Sequence, residues 1–150
     1  MCIRDRVWKD GIFEFKVIHV PGHTSGHICF HFFNEKTVFT GDTLFSLGCG
    51  RIFEGSYEDM FNSLLRLKVL PPETEVYFGH EYTLNNAIFC QRFDQNNSEL
   101  NKKILNIKKK LDSGFPSVPS TIKDELNCNI FLRAKNQEEF SKLRDLKDNF

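Results

Sequence analysis

The chain has 150 residues, and its 20 basic and 20 acidic side chains give a formal net charge of zero. This balance argues against a nucleic-acid-binding face, and no apolar run approaches the roughly 18 residues of a membrane-spanning helix. Hydrophobic residues make up 40% of the chain and include 16 phenylalanines, which is ample for a packed core. The five cysteines are odd in number and form no CxxC pair, so neither a disulfide framework nor a zinc ribbon is predicted. The expected compartment is therefore a reducing cytoplasm.

The first 41 residues predict a short sheet behind a leader. Residues 1–6 have no signal-peptide features and match nothing downstream in character, so we expect a non-native leader there. Ile12–Val20 alternates apolar and polar residues over part of its length, as a half-buried strand does. Ile28–Phe33 and Thr37–Gly41 flank three polar residues, which predicts a hairpin.

The middle of the chain predicts one helix and one strand. Ser56, followed three residues later by Asp59, resembles a capping box at a helix start. The helix carries one apolar stripe and ends before Pro71-Pro72. The stripe consists of Met60, Leu64 and Leu67. Glu75–His80 predicts a further short strand.

After Tyr82 the pattern becomes mainly helical. Apolar residues recur at helical spacing within Asn97–Gly114, and Gly114 suits the residue just past a helix end. They are Leu100, Ile104, Ile107 and Leu111. A Pro/Ser-rich connection is expected at Phe115–Thr121, and Asn136 caps a final helix predicted over Asn136–Asn149. We interpret the lysines of the helix predicted within Asn97–Gly114 as a solvated face. They are Lys102, Lys103 and Lys108–Lys110.

Three short motifs stand where predicted strands end. They are PGHTSGH (Pro21–His27), TGDTLF (Thr40–Phe45) and GHEY (Gly79–Tyr82). Each places a histidine or aspartate beside a glycine, and strand-end loops are where α/β proteins collect metal and substrate ligands. Imidazole and carboxylate together suit zinc, manganese or iron. A single histidine near a strand is more often packed or solvated, and we interpret His19 and His31 in that way.

The three motifs resemble the second half of the metallo-β-lactamase superfamily, and more narrowly the glyoxalase II (hydroxyacylglutathione hydrolase) family. Phe39–Gly55, Phe78–Asn86 and Leu143–Phe150 carry the resemblance, which extends from about Val17 to Phe150. It implies an α/β fold: the second half of an αββα sandwich in residues 1–82, followed by a small helical substrate-binding domain in residues 83–150.

The resemblance also implies a role for each motif residue. His23 binds one metal ion, His80 binds another, and Asp42 bridges the two. His27 is not a ligand and supports its loop by hydrogen bonding. The implied cofactors are two divalent ions, with zinc expected and iron or manganese as alternatives, since the ligands do not distinguish them.

A glutathione site follows from the same resemblance. The matching positions are Arg51, Tyr82, Asn86, Arg144 and Lys147. Glutathione carries two carboxylates, for which arginine and lysine are the natural partners. Arg144 and Lys147 are three apart on a predicted helix and so share a face. Without the resemblance, that pair reads as an ordinary solvated helix face. Phe53 stands where some family members have tyrosine, and any hydrogen bond that this tyrosine donates to substrate, worth about 0.5–1.5 kcal/mol, is absent here.

The family's first metal-binding motif, HxHxDH, is absent from the 22 residues before His23. We therefore expect a fragment of a longer protein, and we expect the isolated chain to be inactive and prone to aggregation through exposed strand edges. The complete protein is expected to be a cytoplasmic monomer without nucleic-acid or membrane partners. Its expected reaction is hydrolysis of S-D-lactoylglutathione to D-lactate and glutathione by a metal-bound hydroxide, in methylglyoxal detoxification. The alternatives are a persulfide dioxygenase-like enzyme of the superfamily and a non-catalytic glutathione-binding remnant.

Overall fold

A computed structural model of the chain, which describes residues 5–150, contains one six-stranded sheet, a two-stranded hairpin and five helices in that part of the chain. The sheet order is β1-β2-β3-β4-β7-β8, and every neighbouring pair is antiparallel except β4 and β7. Its strands are β1 (Val7–Lys9), β2 (Glu14–His19), β3 (Ile28–Phe32), β4 (Thr37–Gly41), β7 (Glu75–Phe78) and β8 (Ser120–Thr121). The hairpin consists of β5 (Leu44–Phe45) and β6 (Gly48–Cys49).

The predicted hairpin and three predicted helices are confirmed. β3 pairs with β4 in antiparallel register. The first helix, α1 (Tyr57–Lys68), begins with the predicted capping box of Ser56 and Asp59 and buries the predicted stripe. The other two are α3 (Ser98–Asp112), capped by Asn97, and α5 (Gln137–Asp148), capped by Asn136. In each cap an asparagine side chain accepts a hydrogen bond from a first-turn backbone N–H.

The sequence did not reveal two helices and four short strands. The helix α2 (Thr83–Phe93) has no side-chain cap, and the residues it buries include the polar Thr83 and Asn86, so it lacks a clear apolar stripe. The helix α4 (Ile122–Cys128) is only seven residues long, too short to display a helical period. Strands β5, β6 and β8 have two residues each and β1 has three. The last residues of the predicted connection at Phe115–Thr121 are in fact β8.

The sheet buries one face and exposes aromatic rings on the other. Cys29, Val38 and Val76 belong to a core that continues through the helices as far as Phe140. On the opposite face a chain of ring contacts crosses the strands, with centroid separations between 4.8 and 6.5 Å. We call this the aromatic face; its members are Trp8, Phe15, Phe30, Phe32, Phe39 and Tyr77. Trp8 is 54% exposed and Phe39 is 44% exposed, so this face is open to solvent in the 150-residue chain.

The expected leader is only partly visible. Residues 1–4 of it lie outside the described residues, whereas Asp5 and Arg6 contact the sheet. Val17 donates a backbone hydrogen bond to the Arg6 carbonyl, and Arg66 pairs with the Asp5 carboxylate. The core is continuous across position 82, and the division into domains at that position stays a prediction. None of the helices in residues 5–150 has the length and hydropathy needed to cross a bilayer.

Candidate metal and substrate site

Asp42 follows β4, the strand that pairs with the parallel strand β7. The chain turns sharply here, because the Thr43 N–H donates to the Thr40 carbonyl and the Thr40 hydroxyl donates to the Leu44 carbonyl. The turn directs the Asp42 carboxylate between two histidines. Its Oδ2 lies 3.5 Å from Nε2 of His23, and its Oδ1 lies 3.2 Å from Nε2 of His80. Each oxygen of one carboxylate thus faces a different imidazole.

The loop after β2 carries His23 and is held by the segment that follows β6. The N–H groups of Phe53 and Glu54 donate to the His23 carbonyl, and Glu54 accepts hydrogen bonds from the Ser25 backbone and hydroxyl. The ring itself is fixed by the Arg51 carbonyl, which lies 2.8 Å from Nδ1. A carbonyl can only accept, so Nδ1 donates to it, and Nε2 is the ring atom that faces Asp42.

His80 lies just past the end of β7, and Gly79 brings it close to Asp42. The Gly79 N–H donates to the Gly41 carbonyl. A Cβ at position 79 would lie 2.6 Å from Asp42 Oδ1, which leaves room for hydrogen only. The His80 ring stacks on Tyr82, with centroids 5.0 Å apart and planes 17° apart. The GHEY motif therefore combines a close approach with an aromatic support for the imidazole.

All eight residues predicted for the site line one cleft of about 400 Å³. They are His23, Asp42, Arg51, His80, Tyr82, Asn86, Arg144 and Lys147. This volume is within the roughly 300–1,000 Å³ of ligand sites. The sequence did not single out Phe45, Cys49, Gly50 and Asn85 from the rest of the lining. Phe45 ends the TGDTLF motif, and the other three lie within the stretches that carry the resemblance, so their place in the sequence was the available signal.

The cationic residues of the cleft differ in their exposure and in how far protein groups already engage them. Arg144 is 3% exposed and donates to the Cys49 carbonyl at 2.7 Å and to Asp148 at 2.8 and 3.0 Å. Arg51 is exposed, with its Nε 3.6 Å from Asp148. Lys147 is half-buried and donates to Asn85, and burial followed by the charge of Arg144 lowers its pKa. Arg51 and Lys147 are thus the cations best placed to meet a ligand, whereas Arg144 is already engaged.

Tyr82 and Asn86 have different surroundings. Tyr82 is 51% exposed and lines the cleft, with one face stacked on His80 and its ring edge-on to Phe45 at 5.4 Å. Asn86 is buried, and its amide donates to the Ser46 carbonyl at 3.1 Å. Phe53 is 69% exposed and covers His23, with ring centroids 5.0 Å apart. Aromatic rings therefore flank both histidines that face Asp42.

His27, the other histidine of the first motif, contacts the backbone of β4. Its Nε2 lies 3.3 Å from the Thr40 carbonyl, so the ring ties the first motif to the second. The thiol of Cys49 lines the cleft beneath Arg144, and its pKa is raised by burial and lowered in part by that arginine. The two histidines in the first motif are thus placed differently: one faces a carboxylate and the other braces the loop.

The donor set around Asp42 fits divalent metal ions. His23 directs Nε2 towards Asp42, and the backbone carbonyl at its Nδ1 is the outer-shell partner typical of metal-bound histidines. The carboxylate can give one oxygen to each of two ions. Among residues 5–150, no three His, Cys, Asp or Glu side chains come close enough to hold an ion by themselves. Zinc sites use three or four protein ligands, so each half of this site needs further ones.

Two family models together match nearly the whole chain. One, described as metallo-beta-lactamase superfamily, matches residues 9–80, and the other, described as hydroxyacylglutathione hydrolase C-terminus, matches residues 81–150. The boundary between the two matches falls within GHEY, next to the boundary predicted from the sequence.

Known proteins resemble the chain in sequence and in structure. It is 60% identical over 144 residues to the hydroxyacylglutathione hydrolase of Pelagibacter ubique (strain HTCC1062), a match that covers 96% of this chain and 60% of that protein. The chain spans about 60% of the length of the curated relatives it matches. The solved structure of ETHE1 from Myxococcus xanthus superposes with a TM-score of 0.65 at 28% identity, over 95% of this chain and 49% of that chain. A metallo-beta-lactamase from Staphylococcus aureus superposes with a TM-score of 0.61 at 19% identity, over 96% of this chain and 42% of that one, which shows a shared fold.

Proposed function

We propose the function from one premise: the chain belongs to the hydroxyacylglutathione hydrolase family of the metallo-β-lactamase superfamily. The proposed reaction is hydrolysis of the thioester S-D-lactoylglutathione to D-lactate and glutathione, which removes a product of methylglyoxal. The observation that carries the proposal is the position of the Asp42 carboxylate. Its two oxygens face His23 and His80 separately, at the end of a cleft that also holds Arg51 and Lys147.

His23, Asp42 and His80 would hold two divalent ions, for which we propose zinc, with iron or manganese as alternatives. Such ions, when bound, polarise a carbonyl oxygen and lower the pKa of water. The chain's own contribution is positional. The Arg51 carbonyl keeps the His23 proton on Nδ1, so Nε2 remains a ligand atom. Asp42 keeps the two imidazoles on opposite sides of one carboxylate.

The cationic end of the cleft would bind the glutathione part of the substrate. Arg51 and Lys147 meet its carboxylates, because charge-assisted hydrogen bonds to carboxylates are the stronger class. Arg144 supports this end of the cleft indirectly, because it donates hydrogen bonds to the Cys49 carbonyl and to Asp148. Hydrolysis breaks the C–S bond, and a thiol with a pKa near 8.5 leaves as thiolate without a strong general acid. We propose a cytoplasmic monomer with this small-molecule partner and no nucleic-acid partner.

Turnover of S-D-lactoylglutathione by the metal-loaded protein tests the proposal. The assay measures the free thiol of the glutathione that hydrolysis releases. The protein should carry this chain together with the upstream segment that its relatives have. Asp42→Asn should lower kcat/KM by at least about a hundredfold, because it removes a proposed ligand of both ions, and losing even an outer-shell partner of a metal ligand costs about 10–100-fold. The control is Asp112→Asn, an exposed residue at the end of α3. Binding of glutathione without any turnover would instead support the non-catalytic alternative.

A further inference from the structure

The turn between β5 and β6, formed by Ser46 and Leu47, is held almost entirely by side chains from the helices. Asn86 donates to the Ser46 carbonyl and the Cys90 thiol donates to the Leu47 carbonyl. Leu47 has a φ of 60°, in the left-handed region that a leucine seldom adopts. Such a conformation persists only where the surroundings over-determine it. The turn is therefore imposed by its contacts, and its own sequence does not favour it.

Glu125 of α4 makes the central contact. Its side chain is fully buried, and its Oε2 accepts the Leu47 N–H at 2.8 Å. The same carboxylate accepts from hydroxyl, amide and ammonium groups, which are those of Ser46, Ser120, Asn129 and Lys103. The Lys103 side chain is only 10% exposed, so the predicted solvated lysine face is wrong at this position. Burial lowers the Lys103 pKa, but Glu125 outweighs that effect and the net shift is upward.

Glu125 and the groups that donate hydrogen bonds to it form a clamp on the β5–β6 turn. The hairpin joins this clamp to the residues around Asp42. Beyond β6, the Gly50 N–H donates to the Thr43 carbonyl at 3.1 Å. A Cβ on Gly50 would lie 1.9 Å from the Asp42 carbonyl oxygen, so the two backbones are in direct contact. The next residue, Arg51, supplies the carbonyl that fixes the His23 ring. A shift of the hairpin would therefore move the supports of both His23 and Asp42.

We propose that Glu125 is a positioning residue for the cleft. Through the Leu47 N–H it holds the β5–β6 turn, and through the hairpin it sets the placement of Asp42, Arg51 and the His23 ring. The proposal deepens the function proposed above, on which its ligand-binding consequence rests, whereas its structural consequence can be tested without any ligand. Glu125 itself does not line the cleft, so it acts only through the hairpin.

Two double variants distinguish the effect of the Glu125 hydrogen bond to Leu47 from the effect of its ion pair with Lys103. K103M/E125L and K103M/E125Q both remove the buried charges, which avoids an unpaired charge in the core. Glutamine keeps an oxygen that can accept from Leu47, whereas leucine does not. The readouts on the chain are amide exchange of Leu47, the NMR signal of the His23 Nδ1 proton, and the dissociation constant for glutathione as probe.

K103M/E125L should exchange the Leu47 amide at least about tenfold faster, lose the His23 proton signal and bind glutathione about tenfold more weakly. K103M/E125Q should stay within about twofold of the unmodified chain. Unchanged exchange in the leucine variant, or equal losses in both variants, would overturn the proposal. If K103M/E125L does not fold, E125D replaces it with the same expectation, since its charged carboxylate is one methylene too short to reach Leu47. If the unmodified chain does not bind glutathione, the proposed function fails, while exchange and the histidine signal still decide the role of Glu125.

Discussion

Replacing Arg144 with methionine should destabilise the chain far more than replacing its neighbour Lys142. Arg144 is 3% exposed, and three of its interactions would be lost. They are the hydrogen bond to the Cys49 carbonyl, the pairing with Asp148, and the position of the guanidinium 5.2 Å above the Phe131 ring. Methionine retains most of the apolar stem, so the change removes the polar interactions with little loss of packing.

The magnitude follows from these contacts. A hydrogen bond from a charged donor contributes about 1.5–3 kcal/mol. Pairing with Asp148, whose side chain is 36% exposed, adds only about 0.3–0.5 kcal/mol because water screens it. The contact with the ring adds about 1 kcal/mol. The free energy of unfolding should therefore fall by about 3–4.5 kcal/mol, and the melting temperature by about 6–18 °C for a chain of this size.

Urea denaturation followed by circular dichroism measures this change, at low micromolar concentration to limit self-association. Lys142→Met is the matched control on the same helix, because Lys142 pairs with Glu138 at 71% and 77% side-chain exposure. It should leave the free energy of unfolding nearly unchanged, because water screens this exposed pair. A loss below about 1 kcal/mol for Arg144→Met would refute the conclusion that Arg144 links α5 to the cleft wall.

Three further outcomes are expected. Ser56→Ala should cost about 1 kcal/mol of unfolding free energy, measured by the same denaturation, because it removes the side-chain cap of α1. Burial raises the pKa of Cys29 from 9.0 to about 12, so the unfolded thiol ionises first and stability should fall as the pH rises from 9 towards 12. Cys29→Ala should reduce that slope by up to about 1.4 kcal/mol per pH unit, and an unchanged slope would contradict the assignment. The aromatic face should make the 150-residue chain self-associate, and Phe39→Lys should shift its sedimentation profile towards monomer, whereas exposed Leu105→Lys on α3 should not.

Helical periodicity was sufficient for three of the four helices that have eleven or more residues among residues 5–150, and cap chemistry marked the starts of those three. It failed where tertiary contacts decide local structure. α2 buries Thr83 and Asn86, whose polarity conceals its inner face, and the first of them is satisfied by Ser117 at 2.6 Å. The left-handed Leu47 depends on a glutamate 78 residues away. Such a contact leaves no local signal in the sequence.

The candidate site was more predictable than the elements around it, because its glycine-flanked motifs mark strand ends directly. The eight residues named from those motifs and from the resemblance meet in one cleft. The burial and the hydrogen-bond partners of each residue were not predictable. Arg144 was a solvated residue on helical pattern alone, yet it is buried, because the chain reversal at β5–β6 brings the Cys49 carbonyl to it. Lys103 was assigned to the solvent for the same reason, and Glu125 holds it in the core.

The most direct test of the central claim is the metal content per chain of the protein carrying both this chain and the upstream segment of its relatives. We predict that His23→Ala and His80→Ala each lower the metal content by about one ion per chain. Asp42→Ala should lower the occupancy of both sites, and His27→Gln should change neither. Glutamine at position 27 can still donate to the Thr40 carbonyl, so its loop stays braced. Full metal content in Asp42→Ala, or loss of an ion in His27→Gln, would contradict the placement of the metals on the two oxygens of Asp42.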